Sequence, residues 1–230
     1  MAILKHITFT GIGVDTDLKE LKAIQDEYPF VEWGVLISKN WQENGPRFFD
    51  PSQLHILRYS GLNLSCHLCG FIAREVAKDN WEPTFEVTRG MFGIFQRCQV
   101  NISMEKPTME TQYMRPPTDL EELIIQQKSA MHMTMFNTIK NRTKMSVLLD
   151  ASGGRGIDAS IQPLNIKGLK VGYAGGMRPE NVRQKLTYLL RNVEGEFWID
   201  MESGVRTNDR FDIGKVMRVL HTCQEIISEK

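Results

Sequence analysis

Branched and aromatic residues collect along the chain into eight short runs: HITFT (6–10), VEWGVLIS (31–38), LNLSCHL (62–68), CQVNIS (98–103), ELIIQQ (122–127), MSVLLD (145–150), LKVGYA (169–174) and FWIDM (197–201). Runs of this length and composition read as strands. Helical patterns fall between most of them. In DTDLKELKAIQDEY, Asp17 and Glu20 have capping-box spacing and Leu18, Leu21 and Ile24 share a face. PSQLHILRYSG, GFIAREVAKDN and RPENVRQKLTYLLRNV also predict helices, the last with Pro179 in its first turn. DIGKVMRVLHTCQEII places Ile213, Val216, Leu220, Cys223 and Ile227 on one stripe.

Strands alternating with helices indicate βαβ units and a parallel sheet. Eight strands in 230 residues predict a closed (β/α)₈ TIM barrel rather than an open doubly wound sheet, as one domain over 1–230. The weak region is MEKPTMETQYMRPPTD, which carries three prolines and no defensible helix. The helix around strands four and five is therefore expected to be irregular or missing. SAMHMTMFNTIKNR is a further, short helical segment.

Composition narrows the function. The 28 basic and 28 acidic residues cancel, which argues against a nucleic-acid partner, since such proteins carry a basic excess. No apolar run reaches the roughly 20 residues of a membrane span, and MAILKHITFT lacks a signal peptide's apolar region. A cytoplasmic protein is the expectation. Cys66, Cys69, Cys98 and Cys223 include a CHLC pair, but on a strand Cys66 and Cys69 face opposite sides and cannot share a metal. Neither metal nor cofactor is expected, and the cysteines read as reduced thiols.

Candidate chemistry lies in the last third. VLLDASGGRGIDAS aims an acid, Asp150, out of an apolar strand into a loop almost without side chains. Two more glycine-rich strand ends follow, AGGMRPENV and DMESGV. Tight turns need glycine anyway, but three successive glycine-rich ends let backbone N–H groups converge on an anion. A helix beginning near Arg178 would add the positive end of its dipole. In (β/α)₈ barrels, a phosphate commonly sits at the loops after strands seven and eight. A phosphorylated small molecule is the expected partner.

LLDASGGRG, AGGMRPENV and DMESGV resemble the last three units of the phosphoribosylanthranilate isomerase family, the tryptophan-pathway barrels that show a strand ending LLD before a GGSG-like loop, then SGGLxPENV and DVSSGVE. The resemblance is good over about 145–206, fair over the first two units and poor over 103–145. It implies an Amadori rearrangement, in which a general acid opens the ribose ring and a general base moves the C2 proton. On this match Asp150 takes the acid position. Gly175, Gly176, Ser203 and Gly204 hold phosphate, and Gly154 and Gly156 line a lid-like sixth loop. RFFDPSQ resembles the family's KRxxSPED turn, which sets Arg47 against the substrate carboxylate; an ordinary surface arginine fits the same sequence.

Three positions depart from the family. The first strand, ITFTGIG, has Thr10 where the family's KICGIT has its basic cysteine, and an aliphatic hydroxyl lacks a thiol's route to an anion. Cys69, with His67 on the same face, is the nearest substitute, although alternate strand residues also serve as barrel filling. Asp15 and Asp17 suit helix initiation better than catalysis. Glu202 brings negative charge beside the phosphate loop, and Arg155 could offset it or grip a second phosphate. The expectation is an isomerase of this kind with an altered base. An enzyme of another reaction class, and a sensor or sponge that binds the phosphometabolite or nucleotide without turnover, remain beside it.

Overall fold

The computed structural model describes residues 1–43, 45–102, 115–127, 144–153, 155–165 and 168–229. The SAMHMTMFNTIKNR helix, Gly154 and most of the connection between the fourth and fifth strands lie outside these residues. All eight expected strands form: β1 (Ala2–Thr10), β2 (Val31–Ile37), β3 (Leu64–Leu68), β4 (Arg97–Val100), β5 (Glu122–Gln127), β6 (Met145–Asp150), β7 (Val171–Ala174) and β8 (Gly195–Met201). They pair in chain order, every pair parallel, and β8 returns to β1. The result is a closed (β/α)₈ barrel.

Every residue of β2, β3 and β6 is buried, because a parallel barrel strand is covered on both faces, by helices outside and by side chains within. The two faces differ in chemistry. Phe9, Trp33, Leu123, Val147, Tyr173 and Ile199 belong to the main apolar core shared with the helices. Ile124, Leu148 and Trp198 form a small separate cluster, accompanied by buried polar groups. Arg97 pairs with Glu32 at 3.0 Å and Glu122 at 2.6 Å, and its guanidinium lies 4.5 Å from the centre of the Trp198 ring. Gly172 admits that ring, since a Cβ there would stand 2.1 Å from the indole. Burial disfavours the Glu32 carboxylate, but Arg97 beside it holds its pKa below the ordinary value.

The helices follow the sequence pattern with local corrections. Helix α1 (Leu18–Glu27) starts where expected, with the Asp17 side chain accepting from the amides of Lys19 and Glu20. Residues 51–61 do not make an α-helix; Pro51–Ile56 is a 3₁₀ helix capped by Asp50. Helix α2 (Gly70–Val76) is short, and Asp79 beyond it takes φ 64°. A left-handed residue breaks the helical path, and the chain restarts as an unexpected α3 (Glu82–Val87).

Helix α4 (Val182–Asn192) begins after Asn181, so Pro179 lies in the preceding turn, and the dipole end expected near Arg178 sits later. In α5 (Ile213–Ser228), Val219 and Ile226 are buried beside Val216, Leu220 and Cys223. Ile227 is exposed: at 100° per residue the buried arc turns past it. A two-strand hairpin, β9 (Arg206–Thr207) and β10 (Arg210–Phe211), precedes α5. Its turn residues Asn208 and Asp209 both have positive φ, the geometry of a type I′ turn. Among the described residues no helix is long and apolar enough to cross a membrane.

Candidate active site

The C-terminal ends of the strands surround a cavity of about 320 Å³, within the range of small-molecule sites. Asp150, the last residue of β6, lies on its wall, 5% exposed. Its Oδ1 accepts from the amide of Ser152 at 3.0 Å and the Ser152 hydroxyl at 2.7 Å, and Oδ2 accepts from Gln126 at 2.8 Å. The carboxylate therefore both faces the cavity and fixes the start of its own loop.

The three glycine-rich turns converge. A Cβ on Gly156 would stand 2.0 Å from Ser203 Oγ, one on Gly176 2.3 Å from the Ile157 carbonyl, and one on Gly204 1.8 Å from the Met177 carbonyl. Loops six, seven and eight thus touch at glycine, each contact admitting no larger residue. Gly175 and Gly176 both have positive φ, which turns the chain sharply after β7. Among the described residues, the amides of Gly176, Met177, Ser203 and Gly204 make no hydrogen bond within the protein, and all four residues line the cavity. These unspent N–H groups are left to donate to whatever enters the cavity.

Thr10 is buried and donates to Asp200 Oδ1 at 2.8 Å. Asp200, near the end of β8, lines the cavity. Burial, reinforced by Glu202, Asp150 and Glu32, outweighs the Thr10 bond and pushes its pKa up to about 8. This carboxyl carries a proton at neutral pH. Sequence reasoning passed over it, although FWIDM carries an acid one residue before its end, much as MSVLLD ends in one.

His67 and Cys69 both line the cavity but do not form a pair. His67 Nε2 shares a hydrogen bond with Ser65 Oγ at 3.2 Å, and the ring packs beside Gly34, where a Cβ would stand 3.0 Å from Nε2. Burial lowers its pKa to about 4. Burial also pushes the Cys69 thiol up to about 12, against the lowering effect of Asn101, whose amide lies 3.2 Å from Sγ. At neutral pH the two side chains are an uncharged imidazole and a thiol, not a thiolate.

Arg47 reaches the rim from the loop after β2. Its Nη1 binds Glu202 at 2.9 Å and its Nη2 binds Asp209 at 2.6 Å. Arg206 donates to the carbonyls of Gly11 at 2.7 Å and Asp209 at 3.1 Å, fastening the β9–β10 hairpin over the end of β1. Arg155 is exposed, donates to the Ser152 carbonyl at 3.0 Å and is not part of the cavity wall. The expectation that it faces the ligand is corrected: its guanidinium is turned onto the Ser152 carbonyl and the residue is open to solvent.

No family model matches the chain, and no curated protein matches its sequence. Its structure is similar to that of the N-(5′-phosphoribosyl)anthranilate isomerase of Pyrococcus furiosus, with a TM-score of 0.53 and 17% identity, covering 96% of this chain and 98% of that one. It is also similar to the phosphoribosyl anthranilate isomerase of Thermococcus kodakaraensis, with a TM-score of 0.55 and 12% identity over 96% and 99% of the two chains. At these identities the likeness is one of fold, and it runs the length of the barrel.

Proposed function

We propose that this chain is an aldose–ketose isomerase acting on a phosphorylated ribosyl amine, with the phosphate on loops seven and eight and the proton transfers carried by Asp150 and Asp200. The observation that carries this is one cavity lined both by two carboxyls, Asp150 and Asp200, and by unspent backbone amides. Divergent environments on paired acids are how one site supplies both an acid and a base. The similarity in fold to two isomerases of phosphoribosyl compounds supports the same reading.

The resemblance in sequence gives Asp150 the acid role, but hydrogen bonding favours the reverse order. Asp150 accepts three hydrogen bonds, whereas burial leaves a proton on Asp200. Asp200 gives that proton to the ring oxygen as the bond from this oxygen to C1 breaks, leaving an iminium. Asp150 removes the C2 proton, and the electron pair forms the C1–C2 double bond of an enolamine. Asp150 then returns its proton to C1 while the C2 hydroxyl gives one back to Asp200, leaving a ketone. Thr10, in the position of the family's cysteine, serves to orient Asp200.

Incubation with N-aryl 5-phosphoribosylamines, followed by carbon NMR for the aminoketose, tests the proposal. Asp150→Asn and Asp200→Asn should each slow turnover by about 10²-fold or more, the ordinary scale of general acid–base catalysis. A second reading, a binder without turnover, is favoured by the Thr10 hydroxyl being spent on Asp200. A large thermal stabilisation by ribose 5-phosphate, with every amine recovered unchanged, would establish that reading instead. Neither turnover nor stabilisation would end both.

A further inference from the structure

The cavity that carries the unspent amides is otherwise acidic. Asp150, Asp200 and Glu202 all line it, and among the described lining residues the cations are confined to Arg47 and, when protonated, His67. His67 is held neutral by burial. The Arg47 guanidinium is engaged on two acids: Nη1 is on Glu202 and Nη2 is on Asp209. Two of its five N–H groups are spent there and its charge is already balanced by protein carboxylates, so a carboxylate on a ligand has to compete with them. An acidic ligand that displaced them would leave Glu202 without its ion-pair partner within a few ångströms of the incoming charge, while Asp209 would keep Arg206 at 3.3 Å. Glu202 is already partly buried, with Asp150 as a second acid in its surroundings.

Resting on the phosphate seat and acid pair described above, the geometry points to a ligand class: we infer that the site takes phosphorylated ribosyl amines whose second half carries no acidic group and is neutral or cationic, and that Glu202 sets this preference by occupying Arg47. The phosphate meets backbone N–H groups on loops seven and eight. The nitrogen-bearing half of the ligand meets carboxyls, which accept from N–H or ammonium groups and repel anions. Arg47 is in this arrangement a positioning residue that holds Glu202 and the β9–β10 hairpin rather than a ligand clamp.

Three stable probes test this by calorimetry: ribitol 5-phosphate, which is the shared part, and its 1-deoxy-1-arylamino derivatives bearing a 2-carboxyphenyl or a 2-(aminomethyl)phenyl group. The wild-type protein should bind the aminomethyl probe at least tenfold more tightly than the carboxyl probe. Glu202→Gln, which removes the negative charge and opens half of the Arg47 fork, should shrink that ratio to about one or invert it. Equal or tighter binding of the carboxyl probe by the wild type would overturn the inference, and that comparison needs no variant to fold. A ratio unmoved in a folded Glu202→Gln protein would overturn the role of Glu202. If ribitol 5-phosphate binds and the aryl probes are not distinguished, the inference alone fails. If none of the three binds, the phosphate seat itself is refuted and the inference with it.

Discussion

Replacing Asp200 by asparagine should change how stability depends on pH. Asp200 is buried, and its folded pKa is about 8 against an ordinary value of 3.8. Between those values the folded chain keeps a proton that the unfolded chain has released, so stability falls as pH rises. The slope is about 1.4 kcal/mol per pH unit, and over roughly four units it sets an upper bound of about 6 kcal/mol. Above about pH 8 both states are ionised and the loss is complete. The amide of the Asp200→Asn variant would keep an oxygen for the Thr10 hydroxyl and bear no charge at any pH. The variant should therefore gain on the wild type by about 2–4 kcal/mol on going from pH 5 to pH 8. Urea unfolding of both proteins at half-unit steps from pH 5 to pH 9 measures this directly. Parallel stability curves, diverging by less than about 0.5 kcal/mol, would mean that Asp200 is ionised throughout. The assignment of Asp200 as the proton donor would then be wrong.

Gly204→Ala places a methyl group 1.8 Å from the Met177 carbonyl, so loops seven and eight must part; we expect a loss of about 1–3 kcal/mol in denaturant unfolding and a loss of ribose 5-phosphate binding by calorimetry. Arg97→Met leaves Glu32 and Glu122 buried without their shared cation, which should cost about 3–5 kcal/mol in the same unfolding assay. The Cys69 thiol, pushed up to about 12 by burial, should react with iodoacetamide only slowly at pH 7.5, as mass spectrometry would show, and Cys69→Ser should keep most of the isomerase activity; fast labelling with loss of turnover would restore Cys69 as a base.

Much of the fold was legible because barrel strands are local features. Runs such as VEWGVLIS and MSVLLD mark strands by their own composition, and the burial of every residue in β2 and β6 follows from being covered twice. The Asp17 cap of α1 was equally readable, since its bonds reach only two and three residues ahead. Helix faces were less secure. In α5 the stripe was placed on Ile227, but the packing chose Ile226, because a period of 3.6 drifts across a sixteen-residue helix. The end of a helix before a left-handed residue, as at Asp79, left no distinct mark in the GFIAREVAKDN pattern.

By itself the sequence determined that strands end in acids and glycines, and therefore that a carboxylate would stand beside bare backbone at one end of a parallel sheet. Only closure of the barrel decided which groups meet. Thr10 finds Asp200 across 190 positions, and Arg47 finds Glu202 and Asp209 across 155 and 162. The charge states followed from that closure: the Asp200 proton, the neutral His67 and the occupied Arg47 fork depend on burial and on neighbours from distant strands. The physical reason is range. Strand propensity and helix caps act over a few residues, whereas desolvation and charge pairing act through space and exist only once the rim is assembled.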